Sequence, residues 1–445
     1  MSRVLLLAAT TGYQIRAFGE AAERLGIDLV YATDRCHVLD DPWQDEAVPV
    51  RFHDEEASAE AILEASRTTP IDGVLAVGDR PTVIAAHVLQ GLGLPGHPPT
   101  AAAAARNKLL TRERLRDCGL PVPGFLAVPL SPTLADVQSL AASVTFPAVV
   151  KPLALSASRG VMRVNDPAEL TAALYRLRSL LQSPDIRGER TDASDMALIE
   201  DFVEGREFAV EGLMEHGRLR VLALFDKPDP LDGPFFEETI YVTPSSAADE
   251  IQKGIAAAVA DAAEALGLFH GPVHAECRVS PPAGLGSPEV FVLEVAARPI
   301  GGLCARALRF SGEDAERVGA GDPSARPHVS LEELLIRHAL GQSTSAWARE
   351  EQASGVMMIP IPRRGTYRGV SGLDAARAVA HIEDVRLTAK TDQLLVPLPE
   401  GASYLGFIFA RAATAAEAER ALRTAHGRLE FAITPEVRVL QSLHG

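Results

Sequence analysis

Two glutamates, Glu276 and Glu294, sit in two short stretches separated by a Pro/Gly-rich segment, GPVHAECRVSPPAGLGSPEVFVLEVAARPIGG over residues 271–302. Each stretch reads as a strand, along which side chains alternate between faces. In the first, Val273, Ala275, Cys277 and Val279 take one face, and His274, Glu276 and Arg278 the other. In the second, Phe291, Leu293, Val295 and Ala297 share a face, with Val292, Glu294, Ala296 and Arg298 opposite. A hairpin folded about Leu285 sets Glu276 directly across from Glu294. Carboxylates so placed repel each other, and a cation between them removes the penalty. Oxygen ligands suit Mg²⁺ (or Mn²⁺), and Mg²⁺ on one or two carboxylates usually carries nucleotide phosphates too. The hairpin therefore points to the use of ATP. The plain alternative is a pair of glutamates on the solvent face of an amphipathic hairpin.

Lys151 closes another apolar stretch, FPAVVKP (146–152), ahead of a loop of small residues, LALSASRGV (153–161). An ammonium at a strand end can meet one phosphate while loop N–H groups and the hydroxyls of Ser156 and Ser158 surround the others. A surface lysine before a turn is the ordinary alternative, and the loop has only one glycine, Gly160. In ALIEDFVEGREF (197–208), Glu200 to Val203 lead into a Gly turn and Glu207 follows on the next strand. A nucleobase needs a backbone donor and acceptor beside apolar walls, and a carboxylate farther on can accept ribose hydroxyls. The alternative is a hairpin with exposed glutamates. The run FDKPDPLDGPFFEETIYVTPS (225–245) fits a pocket wall. Lys227 would reach a phosphate or a substrate carboxylate there, and Phe235 and Phe236 would give apolar contact.

The elements that must hold these residues are legible as periodic segments. RVLLLAA (3–9) is a continuous apolar run, the pattern of a strand buried on both faces. After a Thr-Thr-Gly turn come a helix from Tyr13 to Leu25, a strand over 27–33, a helix from Glu56 to Arg67, a strand over 73–79 and a helix from Thr82 to Leu89. Such alternation predicts an open parallel sheet. The first strand-to-helix turn lacks G-x-G-x-x-G, so nothing marks a dinucleotide site. Asp79 either meets a ligand at a strand end or caps the helix that follows Pro81. GLGLPGHPPT (91–100) marks a boundary. An alanine-rich helix then runs into residues 107–118, where Lys108, Arg112 and Arg116 recur at intervals of four and share one side. The polar segment from Ser311 to Pro327 reads as a linker, residues 331–340 as a helix, VMMIPIP and YLGFIFA as strands. Thr414 with Glu417 forms a capping box for a last helix. The division is an N-terminal α/β domain over 1–100, a core over 101–310 and a small α+β domain over 311–445.

A net charge of −16 argues against nucleic acid or an anionic membrane as the main partner. The composition, 47% hydrophobic and 23% charged, is that of an ordinary globular protein. Cys36, Cys118, Cys277 and Cys304 are scattered, without metal or disulfide spacing, which fits a reducing compartment. The apolar start is too short to span a membrane and carries no cleavage-site pattern. The expectation is a cytoplasmic protein acting on small molecules, and a homodimer is compatible with it.

The order of these segments resembles the ATP-grasp superfamily. NK…RERLRDCGLPVP (107–123), VVKP…SASRGV (149–161), EDFVEGREF (200–208), AEC (275–277) and LEVAARPIGG (293–302) follow one another as that superfamily's motifs do. The match runs over residues 100–305. The resemblance implies an α/β and α+β protein, an ATP-grasp core between an open parallel α/β domain and a small α+β domain. It also implies roles. Lys108 and Lys151 would contact ATP phosphates. Glu200, Phe202 and Val203 would form the adenine hinge, Glu207 would hold the ribose, and Glu276 and Glu294 would ligate Mg²⁺. Arg298 would stabilise charge on an acyl phosphate or on the tetrahedral species formed from it. Many members carry Asn two residues after the last Glu; here that residue is Ala296. With LEVAARPIGG, and with His274 two residues before the first Glu, the chain resembles the branch of L-amino acid ligases related to carnosine-synthase-like enzymes. The implied reaction activates a carboxylate as an acyl phosphate for attack by an amine, with Gly301 and Gly302 letting N–H groups approach the acyl substrate. The rivals are an ATP-grasp carboxylase or nucleotide-biosynthesis ligase, and a nucleotide-binding protein without turnover.

Overall fold

The computed structural model describes residues 2–9, 13–34, 47–130, 137–281, 288–312 and 328–436. The expected turns at Thr10–Gly12 and about Leu285, Cys36 and nearly all of the 311–327 linker lie outside the described residues.

The strands Arg3–Ala8, Asp28–Thr33, Val48–Pro49 and Gly73–Val77 form a parallel sheet with the first strand between the second and the fourth. Its unbroken apolar run has a direct cause. Leu5 and Leu7 point into one core, while Val4, Leu6 and Ala8 point into another on the opposite face. The helix Ile15–Leu25 ends at Gly26, which takes a φ of 65°. The alanine-rich helix does not run on as expected. It stops at Arg106, and Asn107, in extended conformation, accepts the N–H groups of Leu109 and Leu110 to start a new helix, Lys108–Asp117.

Four antiparallel strands, Phe125–Pro129, Ala148–Pro152, Met162–Val164 and Met196–Asp201, make a small lobe backed by the helix Pro167–Leu181. A separate antiparallel sheet of eight strands runs in the order Glu289–Ala296, Gly271–Ser280, Arg206–Glu215, Arg218–Asp226, Ile240–Thr243, Ala353–Ile359, Gly406–Ala412, Ile382–Leu387. The last three come from beyond residue 310, so the core and the C-terminal region share one sheet. Glu200 and Glu207 lie on successive strands joined by a Gly turn, as the sequence reads, and the alternative of a plain hairpin does not hold: the turn carries the chain from the small sheet to the large one. Gly205 is required in that turn: its φ is 117°, and a Cβ there would lie 2.1 Å from the Val279 carbonyl oxygen.

The glutamate hairpin has the expected central register, Glu276 opposite Glu294. One step along, Cys277 pairs with Val292, and Leu293 is left as an extra residue in a β-bulge. The bulge reverses part of the expected face assignment. Val292 packs in the core with Val295 and Ala297, and Leu293 faces the cavity described next. The first strand alternates as expected: Val273, Ala275, Cys277 and Val279 are core residues.

Candidate active site

A cavity of about 360 Å³ opens where the small lobe, the large sheet and the C-terminal edge of the parallel sheet meet. The candidate site residues read from the sequence line it, except Lys227 and Phe235; Phe235 packs against the core of the small lobe instead.

At the small-lobe end, Lys151 is buried and its Nζ lies 2.5 Å from Glu200 Oε2. Burial lowers the Lys151 pKa to about 8 against the opposing pull of Glu200. Glu200 is also buried, 2.8 Å from Arg112 Nε. Burial would raise its pKa, but Arg112 and Lys151 outweigh that and keep it low. The expected hinge residue is thus the centre of a buried ion triad. Phe202 and Val203 are also committed: the Phe202 N–H donates to Pro147 O, and Val203 O accepts from Arg278. Phe202 stacks on Phe236 with ring centroids 6.3 Å apart, beneath the guanidiniums of Arg163 and Arg278. These rings give the apolar wall the sequence suggested.

The loop after Lys151 is strained. Leu155, Ala157 and Ser158 have φ of 82°, 56° and 54°, left-handed values that cost a non-glycine residue about 1–3 kcal/mol each. Surrounding contacts hold it. Lys108 Nζ donates to Leu155 O at 2.9 Å, Gly160 N–H to Pro399 O at 2.8 Å, and Arg159 Nε to Glu400 O at 2.8 Å. Turns of this kind aim successive N–H groups into a concavity suited to anions. Ser156 and Ser158 line the cavity here.

In the middle, Glu294 approaches Lys108 Nζ at 3.3 Å. Glu276 belongs to a different group. Oxygens of Glu207, Glu238 and Glu276 lie within 4.8 Å of one another, which could hold a metal ion. Lys227 Nζ reaches the same three carboxylates at 2.8, 2.5 and 3.1 Å. Lys227 therefore sits buried behind the acids rather than projecting into the cavity, and burial is outweighed by these carboxylates in raising its pKa well above normal. Glu238 accepts from Tyr241 Oη, and burial with Glu276 beside it pushes its pKa to about 7. Glu207 takes a further ion pair from Arg278 Nε at 2.9 Å.

His274 is held at Nδ1 by the fully buried Glu211, 3.1 Å away, and its Nε2 lies 3.8 Å from Glu276. Burial opposes its charge, but the two carboxylates raise its pKa to about 9. Glu211 also accepts the Ile300 N–H. Gln14 Nε2 donates to Ile300 O at 2.5 Å, so both backbone polar groups of Ile300, in the two successive peptides ahead of Gly301, are fixed. Gly301 follows, with no atom within 4 Å of where a Cβ would sit. Gly302 has a φ of 61°. Arg298 meets Asp79 across the domain boundary through Nε at 2.8 Å. Asp79 does not cap the next helix with its side chain; at the strand end it fixes the arginine. Ala296 pairs across from His274 and is buried outside the cavity lining.

Sequence reasoning gave no site role to Arg112, Glu211, Glu238, Arg278 or Tyr241. Arg112 was visible as the fourth residue after Lys108, and Glu211 as a glutamate four residues beyond Glu207, on the same face of the strand and flanked by apolar residues and a glycine. Glu238 and Tyr241 had no local signal.

Residues 19–96 match the ATP-grasp N-terminal domain family, residues 144–307 the ATP-grasp domain family, and residues 357–434 the family of L-amino acid ligase C-terminal domain 2. The fold superposes on the crystal structure of an L-amino acid ligase from Bacillus licheniformis with a TM-score of 0.78 at 27% identity, covering 98% of this chain and 99% of that one. In sequence the chain is 25% identical to protein y4rH of Sinorhizobium fredii over 98% of its own length and 84% of that protein's. It is 28% identical to human carnosine synthase 1 over 62% of its own length, spanning only 35% of that larger protein. Among the described residues no helix is long and apolar enough to cross a membrane.

Proposed function

From a chain of the ATP-grasp superfamily, we infer that this ATP-dependent ligase joins two amino acids, or an amino acid and an amine or peptide, by an amide bond. A substrate carboxylate oxygen attacks the terminal phosphorus of ATP, and ADP leaves. The amine nitrogen then attacks the acyl phosphate carbon, and phosphate leaves. The observation that carries the reading is the meeting, in one cavity, of a strained loop with two lysines, opposed glutamates, and an arginine beside an open glycine backbone.

Each residue has a task in this scheme. Lys108, Lys151 and the 155–158 loop receive the phosphates, with Ser156 and Ser158 as hydroxyl donors. Phe202 and Phe236 wall the base; Glu200 acts by holding Lys151. Glu276 and Glu294 offer hard oxygen donors that fit Mg²⁺ or Mn²⁺, whose charge would offset that of the phosphates. Glu207 is assigned to the acidic group it forms with Glu238 and Glu276 rather than to a ribose alone. Arg298, tied to Asp79, and the Gly301–Gly302 backbone face the acyl group as charge develops on its oxygen. An incoming ammonium must shed a proton before attack. Glu238, a carboxylate lining the cavity whose pKa burial and the neighbouring Glu276 raise above the ordinary value, is placed to take it.

The test is a mass-spectrometric screen of amino-acid pairs with ATP and Mg²⁺, with bicarbonate as a parallel acceptor. A dipeptide mass appearing with stoichiometric ADP and phosphate is the expected result. ATP consumption with bicarbonate alone would point to a carboxylase, and no phosphate release with any pair would remove the ligase reading.

A further inference from the structure

The bulge at Leu293 decides where Glu294 points. Val290 and Val292 pack against or within the core, so unbroken alternation would send Glu294 to that same core face. The extra residue shifts the parity, and Glu294 turns to the cavity while Val295 and Ala297 return to the core. A bulge interrupts the ladder and leaves backbone groups to be satisfied elsewhere. Here one side chain reaches them. Arg112, fully buried, donates through Nη1 to Val292 O at 3.1 Å and through Nη2 to Leu293 O at 2.8 Å. The same guanidinium lies against Glu200, whose charge compensates its burial. One turn earlier on the same helix, Lys108 meets the Glu294 carboxylate.

We propose that Arg112 is a positioning residue for Glu294: its guanidinium moors the bulge that turns this carboxylate into the cavity. The proposal rests on the reading of Glu294 as a metal ligand. Only a planar fork of donors spans two consecutive carbonyls and a carboxylate together, so a lysine at 112 keeps the charge and loses the grip.

The test measures Mn²⁺ binding by electron paramagnetic resonance in the presence of ADP, together with binding of ADP alone. The proteins are wild type, Arg112→Lys, Glu294→Gln and the double variant. Arg112→Lys is expected to weaken Mn²⁺ binding about tenfold or more, as loss of a supporting contact to a metal ligand does, and to leave ADP alone within about threefold. The double variant should be no weaker than Glu294→Gln, because the two residues act through one carboxylate. Wild-type Mn²⁺ affinity in Arg112→Lys beside a weakened Glu294→Gln overturns the positioning role and leaves the metal reading standing. Losses that multiply in the double variant, or loss of ADP binding without metal in Arg112→Lys, also overturn it. Unchanged Mn²⁺ binding in Glu294→Gln removes the metal reading, and the proposal with it. If Arg112→Lys does not fold, Arg112→Gln in a Glu200→Gln background removes the opposed charges together; it is compared with Glu200→Gln alone, which carries any loss of ADP binding through Lys151, and a Mn²⁺ affinity equal to that of Glu200→Gln overturns the proposal.

Discussion

Lys151 offers a sharp test, because its ionisation falls in an accessible pH range. Its pKa is lowered from the ordinary 10.5 to about 8, burial outweighing the help of Glu200. A phosphate placed against the ammonium favours the charged form, so nucleotide binding and protonation of Lys151 are linked. The sign follows. Below pH 8 the free protein already carries the charge; above it, binding must first restore the proton. At pH 9 about a tenth of the sites are protonated, so the dissociation constant of ADP should rise about tenfold between pH 7 and pH 9, about 1.4 kcal/mol. The terminal phosphate of ADP titrates near pH 6 and is nearly fully ionised throughout this window. Isothermal titration calorimetry at fixed Mg²⁺ gives the constants. Lys151→Met keeps the stem and removes the titrating group. At pH 7 it should bind ADP more weakly by about 1.5–3 kcal/mol, the range for a charge-assisted hydrogen bond, and show no rise between pH 7 and pH 9. A wild-type profile flat to pH 9, or the same slope in Lys151→Met, would show that this ammonium does not meet the nucleotide.

Four further variants have expected outcomes. Glu294→Ala should abolish turnover in a phosphate-release assay while leaving the melting temperature nearly unchanged, since its side chain is part-exposed in the cavity; near-normal turnover removes it from the site. Arg298→Ala should reduce kcat far more than it alters the KM for ATP. It should also cost about 2 kcal/mol in denaturant unfolding, less than a fully buried pair because Asp79 remains 24% exposed. A KM effect larger than the kcat effect would make Arg298 a nucleotide-binding residue. Gly205→Ala should destabilise the protein by about 3 kcal/mol, given its φ and the close Val279 carbonyl. Gly301→Ala, which has open space around it, should melt as wild type and raise the KM of the acyl substrate; equal melting of the two variants contradicts the turn geometry.

Local sequence patterns determined a good deal of this protein. The both-faces-buried run at Val4–Ala8, the glycine stop at Gly26, the Thr414–Glu417 capping box and the Glu276–Glu294 register are set by neighbours one to four residues away or across one turn, so they can be read from order alone. The same holds for the cavity-facing side of Gly271–Ser280, where alternation is unbroken. What depended on contacts between distant segments was not legible. The Leu293 bulge is supported by an arginine 181 positions earlier. Arg298 is fixed by Asp79, 219 positions away in another domain. Lys227 looked like a free cation in a loop, yet three glutamates from separate strands and loops enclose it. A charged side chain takes its role from what compensates its burial, and those partners are chosen by the packing of sheets and lobes, which no local spacing records.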